Sequence, residues 1–373
     1  MNIFTRIFAL FSVLTVAVTL GCTVYAGVST SASSAILIEA ESGDVICEQN
    51  ADSCLPMAST TKIMTALVAL EKRALDDVVA VSPDAVGVEG SSVYLTANEK
   101  LTMGDLVYAL MLESANDAAA AIAIEVGGSV EGFADLMNER AKALGCTSTH
   151  FANPHGLDDA EHYTTARELA MITRAALANE SFREIVSTER HTIPLDGGGV
   201  RLLINHNRLL RENDEVIGVK TGFTKKSGRC LVTAAERDGV TVIAVTLSDP
   251  DDWRDHTAML NYGLDAYKHL TLASESSFTV SVPVSGGELD FVTAVNAHPV
   301  SLTVPNDSSE LTLVTSLNRF YFAPVCEGEI LGCAEWFYPD GKLAASVPLV
   351  AMNGVEKREE PTFFEKIKNI ITK

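Results

Sequence analysis

Three short motifs contain the residues of this chain that are best suited to chemistry. They are S-T-T-K at 59–62, S-A-N at 114–116 and K-T-G at 220–222, in that order along 373 residues. A serine hydroxyl is a poor nucleophile until a base within hydrogen-bond reach takes its proton. Ser59 and Lys62 are spaced i and i+3, so they share a face of a predicted helix, and burial would lower the pKa of the lysine and free its amine as that base. The motifs therefore predict a serine acyl-transfer site.

The second and third motifs supply polar groups around such a nucleophile. Ser114 is suited to relay a proton toward the leaving group, and Asn116 is suited to contact the substrate. Lys220 and Thr221 follow a β-like run, and an edge strand there would offer a cation, a hydroxyl and open backbone to an extended peptide. Gly222 would allow that peptide to approach closely. Taken singly, such residues are ordinary caps and helix boundaries, so the order of the three motifs supports the catalytic interpretation.

Hydrophobic patterns around the motifs predict the elements that must position them. Two strands joined by a turn occupy 35–47, and a helix that is apolar nearly all round begins at Ser59. Further helices are predicted at 102–112, 116–126, 130–144 and 165–178. Antiparallel strands follow at 217–247, and a closing helix at 255–270. Strands at both ends with helices between them predict a mixed α/β layout, in which one sheet brings distant motifs together.

The last third of the chain has a different character. From about Leu272 short alternating strands separated by turn residues predict a small all-β domain at 272–355. The remaining segment, 356–373, places five large apolar side chains on one side of a helical wheel, beside two lysines. That pattern predicts an amphipathic membrane-anchor helix, and a helix docked on the protein's own core is the alternative.

The first residues are typical of an export signal. Segment 1–26 has a positive charge, an apolar run and a small-residue exit, which predicts a secretory signal peptide cleaved after Ala26. A lipid anchor on Cys22 and an uncleaved membrane anchor are the alternatives. The exported protein, with a catalytic domain at 27–271, would then lie at the outer face of the cytoplasmic membrane.

Charge, cysteines and histidines narrow the possible partners. A net charge of −21 opposes binding to nucleic acid.

Cys146 and Cys230 would pair with each other or remain buried thiols. His155 and His162 fit no standard zinc spacing, so no metal or cofactor is expected. Two further cysteine pairs, each spaced to close a small loop, would form disulfides or stay reduced: Cys47 with Cys54, and Cys326 with Cys333.

Over nearly its whole exported length the chain resembles a known family, the low-molecular-mass penicillin-binding proteins of the D-alanyl-D-alanine carboxypeptidase type (serine peptidase family S11). The resemblance rests on the three motifs with their neighbours, on N-P-H-G-L at 153–157 and on H-Y-T-T-A at 162–166. It implies a β-lactamase/transpeptidase-like catalytic domain, with an antiparallel sheet and a helical subdomain, followed by a small all-β domain and an amphipathic anchor.

The resemblance also implies a role for each motif residue. Relatives commonly carry an arginine just before the aromatic residue that precedes the last catalytic-domain helix, where it helps bind the substrate carboxylate. Here Asp252 precedes Trp253, and Arg254 after it is the candidate replacement. The implied roles are Ser59 as acylated nucleophile, Lys62 as general base, Ser114 as proton shuttle, Asn116 as orienter of the substrate amide, Lys220 with Thr221 as carboxylate holders, and the N–H groups of Ser59 and Phe223 as the oxyanion hole.

The predicted function is removal of the terminal D-alanine from peptidoglycan stem pentapeptides ending in D-Ala-D-Ala, with β-lactams acylating Ser59 as substrate mimics. A serine β-lactamase is one alternative, and it would need a glutamate that activates water for deacylation. Glu168 lies in the relevant interval but within a predicted helix. A non-catalytic wall-binding protein on the same fold is the other alternative.

Overall fold

A five-stranded antiparallel sheet organises the first two thirds of the protein. The structure, a computed structural model, describes residues 28–195, 198–308 and 310–359, so the predicted signal peptide and most of the predicted anchor lie outside the described residues. The strand order is β2-β1-β9-β8-β7. In chain order the elements of this part are β1 (Ser34–Glu39), β2 (Val45–Gln49), α1 (Lys62–Lys72), β3 (Val78–Ala80), β4 (Lys100–Thr102), α2 (Met103–Leu112), α3 (Asn116–Gly127), α4 (Val130–Ala143), α5 (Ala166–Leu177), α6 (Glu180–Ser187), β5 (Arg190–Pro194), β6 (Val200–Ile204), α7 (Leu209–Glu212), β7 (Val216–Thr224), β8 (Gly228–Arg237), β9 (Val240–Leu247) and α8 (Asp252–Ala266).

Strand β1 separates two hydrophobic cores. All six of its residues are buried, because both faces of the sheet are covered. Ile36 and Ile38 point into the larger core, which α1 to α6 share. Ala35 and Leu37 point into a smaller core beneath α8. Successive side chains of a strand face opposite sides, so an almost continuous apolar run is what a strand buried on both faces requires.

The chain ends in an all-β part with its own core. A six-stranded sheet, in the order β14-β16-β17-β12-β11-β15, packs with the separate pair β10-β13 around one apolar cluster that includes Trp336. Its strands are β10 (Tyr267–Ala273), β11 (Thr279–Ser285), β12 (Phe291–Asn296), β13 (Val300–Pro305), β14 (Thr312–Leu317), β15 (Tyr321–Phe322), β16 (Ile330–Phe337) and β17 (Leu343–Ala351).

Several details differ from the sequence predictions. The closing helix, predicted to run to residue 270, ends at Ala266, and β10 follows at once and pairs with β13. The hairpin β5-β6 and helices α6 and α7 were not predicted. The six cysteines of the described residues are all free, so the reduced alternative applies to this structure. None of the helices within the described residues has the length and apolar character needed to span a bilayer.

Candidate active site

Ser59 lies in a tight turn directly before α1. Residues 58–61 form a 3₁₀ turn, and Lys62 is the first residue of α1, whereas the sequence predicted one continuous helix from Ser59. In a 3₁₀ turn residues i and i+3 eclipse each other, which aligns the two side chains. Ser59 Oγ lies 3.0 Å from Lys62 Nζ. The structure therefore brings the predicted nucleophile and the predicted base into contact.

Lys62 is fully buried among hydrogen-bond acceptors. Its Nζ lies 2.7 Å from the side-chain oxygen of Asn116 and 2.6 Å from the carbonyl oxygen of His155. Burial lowers the pKa of Lys62 well below its usual value, the charge of Lys220 lowers it further, and Asp117 opposes the shift. A neutral amine has two N–H donors and one lone pair. Since two of its neighbours only accept, the lone pair is left for the hydroxyl proton of Ser59.

A hydrogen-bond chain holds the turn that presents Ser59. The backbone N–H of Ala152 donates to His162 Nδ1 at 3.0 Å, so His162 Nε2 carries the ring proton and faces Thr61 Oγ1 at 2.7 Å. The Thr61 hydroxyl donates in turn to the carbonyl of Ala58 at 2.7 Å. Ala58 has φ +48°, an uncommon conformation for alanine that the chain helps to maintain. The pKa of His162 is lowered to about 4, chiefly by burial, which keeps the ring neutral.

The second motif occupies the junction between α2 and α3, as its sequence predicted. Ser114 is nearly buried and has φ +58°, so the chain reverses sharply at this residue. Asn116 is predicted to contact the substrate, and the structure shows the contacts that it makes within the protein. Its side-chain oxygen accepts from Lys62, and its amide nitrogen donates to the carbonyl of Glu89 at 2.5 Å. Both ends of this amide are engaged within the protein, so the structure places Asn116 against the base.

The third motif lies on β7, an edge strand of the central sheet. Lys220 is buried, its Nζ donates to the carbonyl of Thr221 at 3.0 Å, and burial lowers its pKa to about 7 against the opposing charge of Glu113. Gly222 packs against the 3₁₀ turn Ala58–Thr61, here called the serine turn, so closely that an added Cβ would lie 3.0 Å from the backbone nitrogen of Ser59. Phe223 follows and is 64% exposed.

A cleft of about 340 Å³ joins these elements. Five of the residues predicted from the sequence lie on its wall: Ser59, Ser114, Thr221, Gly222 and Phe223. Lys62, Asn116 and Lys220 are buried behind that wall. The cleft thus presents two hydroxyl-bearing serines beside an open strand edge, with two lysines of lowered pKa beneath them.

The basic residue of the cleft is not the predicted one. Arg254 is 67% exposed, contacts Asp251 and Asp255, and is not part of the cleft wall. Its place is taken by Arg229, which pairs with Asp252 at 2.9 Å. The signal available in the sequence was the tight β7-β8 hairpin, whose register sets Arg229 opposite Phe223.

Further residues of the cleft wall, which the sequence did not predict as site residues, include Ser91, His206 and Trp253. His206 lies 3.1 Å from Glu113, which directly precedes Ser114. It comes from the loop after the hairpin β5-β6, which the sequence did not reveal.

Glu168 does not face Ser59. It lies in the first turn of α5, and its carboxylate accepts from the backbone N–H groups of Thr147 and Ser148 and from the hydroxyl of Thr149. Those contacts stabilise the loop before α5. The carboxylate is therefore committed to structure, which removes the residue that a β-lactamase mechanism would require.

A serine and a buried lysine at the start of a central helix, beside an edge strand carrying K-T-G, define a serine acyl-transfer enzyme of transpeptidase-like fold. Residues 22–251 match the family model described as D-alanyl-D-alanine carboxypeptidase, and residues 267–357 match the model of the C-terminal domain of penicillin-binding protein 5. The chain belongs to the D-alanyl-D-alanine carboxypeptidase family of serine peptidases. The family and the fold class predicted from the sequence are confirmed.

Individual relatives support this assignment along most of the chain. D-alanyl-D-alanine carboxypeptidase DacF of Bacillus subtilis is 30% identical over 352 residues, covering 92% of this chain and 90% of the relative. D-alanyl-D-alanine carboxypeptidase DacC of Escherichia coli is 31% identical over 353 residues, covering 90% of this chain and 86% of the relative. The crystal structure of penicillin-binding protein 5 from Haemophilus influenzae aligns with a TM-score of 0.65 at 27% identity, covering 88% of this chain and 98% of that chain.

Proposed function

We propose that this protein is a serine-type D-Ala-D-Ala carboxypeptidase that removes the terminal D-alanine from peptidoglycan stem pentapeptides and is acylated by β-lactams. The observation that carries the proposal is the contact between Ser59 Oγ and Lys62 Nζ at the wall of a cleft. Family membership supplies the substrate class.

Acylation begins with transfer of the Ser59 proton to the neutral amine of Lys62, as Ser59 Oγ attacks the carbonyl carbon of the penultimate D-alanine. Asn116 and the carbonyl of His155 hold the amine in line, because each accepts one of its N–H groups. The leaving amine of the terminal D-alanine then needs a proton, and Ser114 on the cleft wall is the group proposed to pass it on. Water later attacks the acyl carbon, and Ser59 recovers its proton.

The negative charge that develops on the carbonyl oxygen needs donors in fixed positions. We assign these to the backbone N–H groups of Ser59 and Phe223. The close packing of Gly222 on the serine turn supports this assignment, because it sets the end of β7 beside the Ser59 amide. Losing one such donor typically costs about 2.7–4 kcal/mol of transition-state stabilisation.

The reaction is tested with a diacetyl-Lys-D-Ala-D-Ala peptide and a fluorescent penicillin. The wild-type protein should release D-alanine and form a long-lived penicillin adduct, and Ser59→Ala should do neither. Lys62→Arg should lose activity by about 10²-fold or more, since an arginine stays protonated and cannot act as base. The matched control Lys72→Arg, an exposed lysine at the other end of α1, should behave as wild type. Rapid penicillin turnover without D-alanine release would instead support a β-lactamase.

We further propose that the enzyme acts at the outer face of the cytoplasmic membrane, exported by the signal peptide at 1–26 and attached through the amphipathic segment at 356–373. The catalytic part would then extend to Ala266, and the β part would begin at Tyr267. Deleting 361–373 should release the mature protein into the soluble fraction. A second variant replaces two apolar residues of that segment, Phe363 and Ile367, with serine, which should weaken attachment without shortening the chain. Unchanged membrane retention in both variants contradicts the anchor.

A further inference from the structure

The cleft must hold a substrate that ends in a carboxylate, and its lysines are poorly placed to do so. Lys220 is buried and donates to the carbonyl of its neighbour Thr221. Lys62 is buried and faces Ser59. Neither contributes to the cleft wall. The cation that binds the terminal carboxylate of the substrate therefore has to be sought among the residues that line the cleft.

Arg229 is the one permanently cationic side chain among the described residues that line the cleft. It lies on β8 directly opposite Phe223 of β7, next to the proposed oxyanion donors. A D-alanine residue in extended conformation spans about 3.4 Å, so the terminal carboxylate lies one short step beyond the scissile carbonyl. Arg229 lines the same cleft as Ser59, and its side chain is 43% exposed.

Two neighbours hold Arg229 against the cleft wall. Its Nη2 lies 2.9 Å from the carboxylate of Asp252, whose side chain is only 5% exposed. Its guanidinium carbon lies 5.7 Å from the centre of the Trp253 ring, within the range of a cation–π contact. A guanidinium has five N–H donors, so a single contact with Asp252 leaves others free for a second carboxylate. Position 252, where the family resemblance implies an arginine, carries in this chain the aspartate that pairs with Arg229.

We propose that Arg229 binds the terminal carboxylate of the substrate and sets the preference of the enzyme for substrates with a free carboxyl end. The proposal rests on the proposed function. Asp252 and Trp253 act as positioning residues for Arg229, and Arg254 takes no part.

The test compares two activated substrates, the thioester of N-acetyl-D-alanine with thioglycolic acid and the methyl ester of that same thioester. Both release a thiol that is easily measured, and only the first has a free carboxylate. Arg229→Gln should raise KM for the first about 10- to 100-fold, the range expected from loss of charge-assisted hydrogen bonds, and leave the methyl ester within about 3-fold. Arg229→Lys should recover part of the preference, because it restores the charge without the planar fork.

Arg208→Gln and Arg254→Gln are the matched controls. Arg208 packs on the same Trp253 ring, with 5.1 Å from its guanidinium carbon to the ring centre, but it does not line the cleft. Both controls should keep the wild-type preference. The double variant Arg229→Gln/Asp252→Asn removes the carboxylate that the single variant leaves unpaired, and it should still lack the preference.

The outcomes separate the two proposals. If the wild-type protein turns over neither thioester nor the D-Ala-D-Ala peptide, the proposed function fails, and this inference with it. If the wild type is active but Arg229→Gln loses equally on both thioesters, or the double variant regains the wild-type preference, Arg229 has only a structural role and this inference alone is overturned.

Discussion

Two buried lysines of lowered pKa, Lys62 and Lys220, lie side by side in the chemistry of this site. The charge of Lys220 is one cause of the low pKa of Lys62, after burial, and burial brings the pKa of Lys220 itself to about 7. The lowered pKa of Lys62 favours its neutral amine, the form that can act as a base, and Lys220 carries its charge mainly below about pH 7. The protonation of Lys62 therefore depends on Lys220.

Replacing Lys220 should therefore move the pH profile of acylation. Lys220→Gln removes a positive neighbour, so the pKa of Lys62 should rise and the acid limb of the rate of penicillin acylation should shift to higher pH. At neutral pH the acylation rate should also fall, by about tenfold or more. The profile is measured by stopped-flow with a fluorescent penicillin. Lys225→Gln, an exposed lysine just after β7, is the control, and an acid limb that stays in place in Lys220→Gln contradicts the coupling.

At this scale the sequence predicted the contact between Ser59 and Lys62 but not all the neighbours of these two residues. Ser59 and Lys62 could be paired because their spacing is local and helical geometry fixes it. Arg254 was predicted because it is adjacent to Trp253 in sequence, and Arg229 could not be recognised because it reaches the same ring from β8. The contacts of the Asn116 amide with Lys62 and with the carbonyl of Glu89 are visible only in the folded chain.

At the scale of elements, the site forms where the edge strand β7 packs against the serine turn. The most direct contact is at Gly222, which has no side chain to keep the two apart. The sequence indicated both elements and their order. It did not indicate the 3₁₀ turn before α1, because helical periodicity continues through it without a break.

Gly222→Ala should damage catalysis far more than folding. The added Cβ would lie 3.0 Å from the Ser59 nitrogen and 3.1 Å from that of Thr60, which forces the strand and the turn apart. A displaced oxyanion donor predicts a loss of about 10²- to 10³-fold in acylation rate. The melting temperature and the acylation rate are measured together. Phe223→Ala is the control, since it removes an exposed side chain and keeps the backbone N–H; equal loss in both variants would contradict the mechanism.

The neutral ring of His162 should be essential to the same turn. His162→Leu removes the acceptor of the Ala152 N–H and the partner of Thr61, and an unsatisfied buried group costs about 1–3 kcal/mol. We expect lower stability in urea denaturation together with slower acylation. His298→Leu, an exposed histidine of the β part, controls for loss of an imidazole. Acylation at the wild-type rate in a destabilised His162→Leu would show that the hydrogen-bond chain does not hold Ser59.

At the scale of the whole molecule, the described catalytic part holds three neutral histidines away from water, with His162 and His256 buried and His155 half-buried. Burial lowers the pKa of His155 to about 3, of His162 to about 4 and of His256 to about 3. His256 joins α8 to the sheet, between the hydroxyls of Thr233 and Thr246. The unfolded chain binds protons at these positions near pH 6.5, where the folded chain does not.

The free energy of unfolding should therefore fall as the pH drops from about 6.5 toward 4. The stabilisation is fully present above the unfolded pKa and is lost as the pH falls through that value toward the folded one, at up to about 1.4 kcal/mol per pH unit for each histidine. Urea denaturation at a series of pH values measures the slope. A variant His256→Gln should show a shallower fall than wild type, and His298→Gln should match wild type. Equal slopes in all three would mean that the acid sensitivity has another origin.

The general architecture could be predicted because each part has a distinct pattern, helical in the middle and alternating in the last third. The exact junction could not, because β10 continues the apolar pattern of α8 without a turn residue between them. Its pairing with β13, a strand from a distant position, decides that Tyr267 is extended. The contact between the catalytic part and the β part could not be predicted from the sequence either. In it, the carboxylate of Glu41 accepts from both the backbone N–H and the hydroxyl of Thr303.

The pairing of β1 with β9 has a consequence for how the protein is made. Residue 34 lies beside residue 247, so the second neighbour of the first strand is synthesised last among the strands of that sheet. A nascent chain that stops before Val240 has the serine, its lysine and the K-T-G strand, but no complete sheet to unite them. Contacts so distant in sequence form slowly. The sheet that unites the parts of the active site is thus completed only when β9 is available to pair with β1.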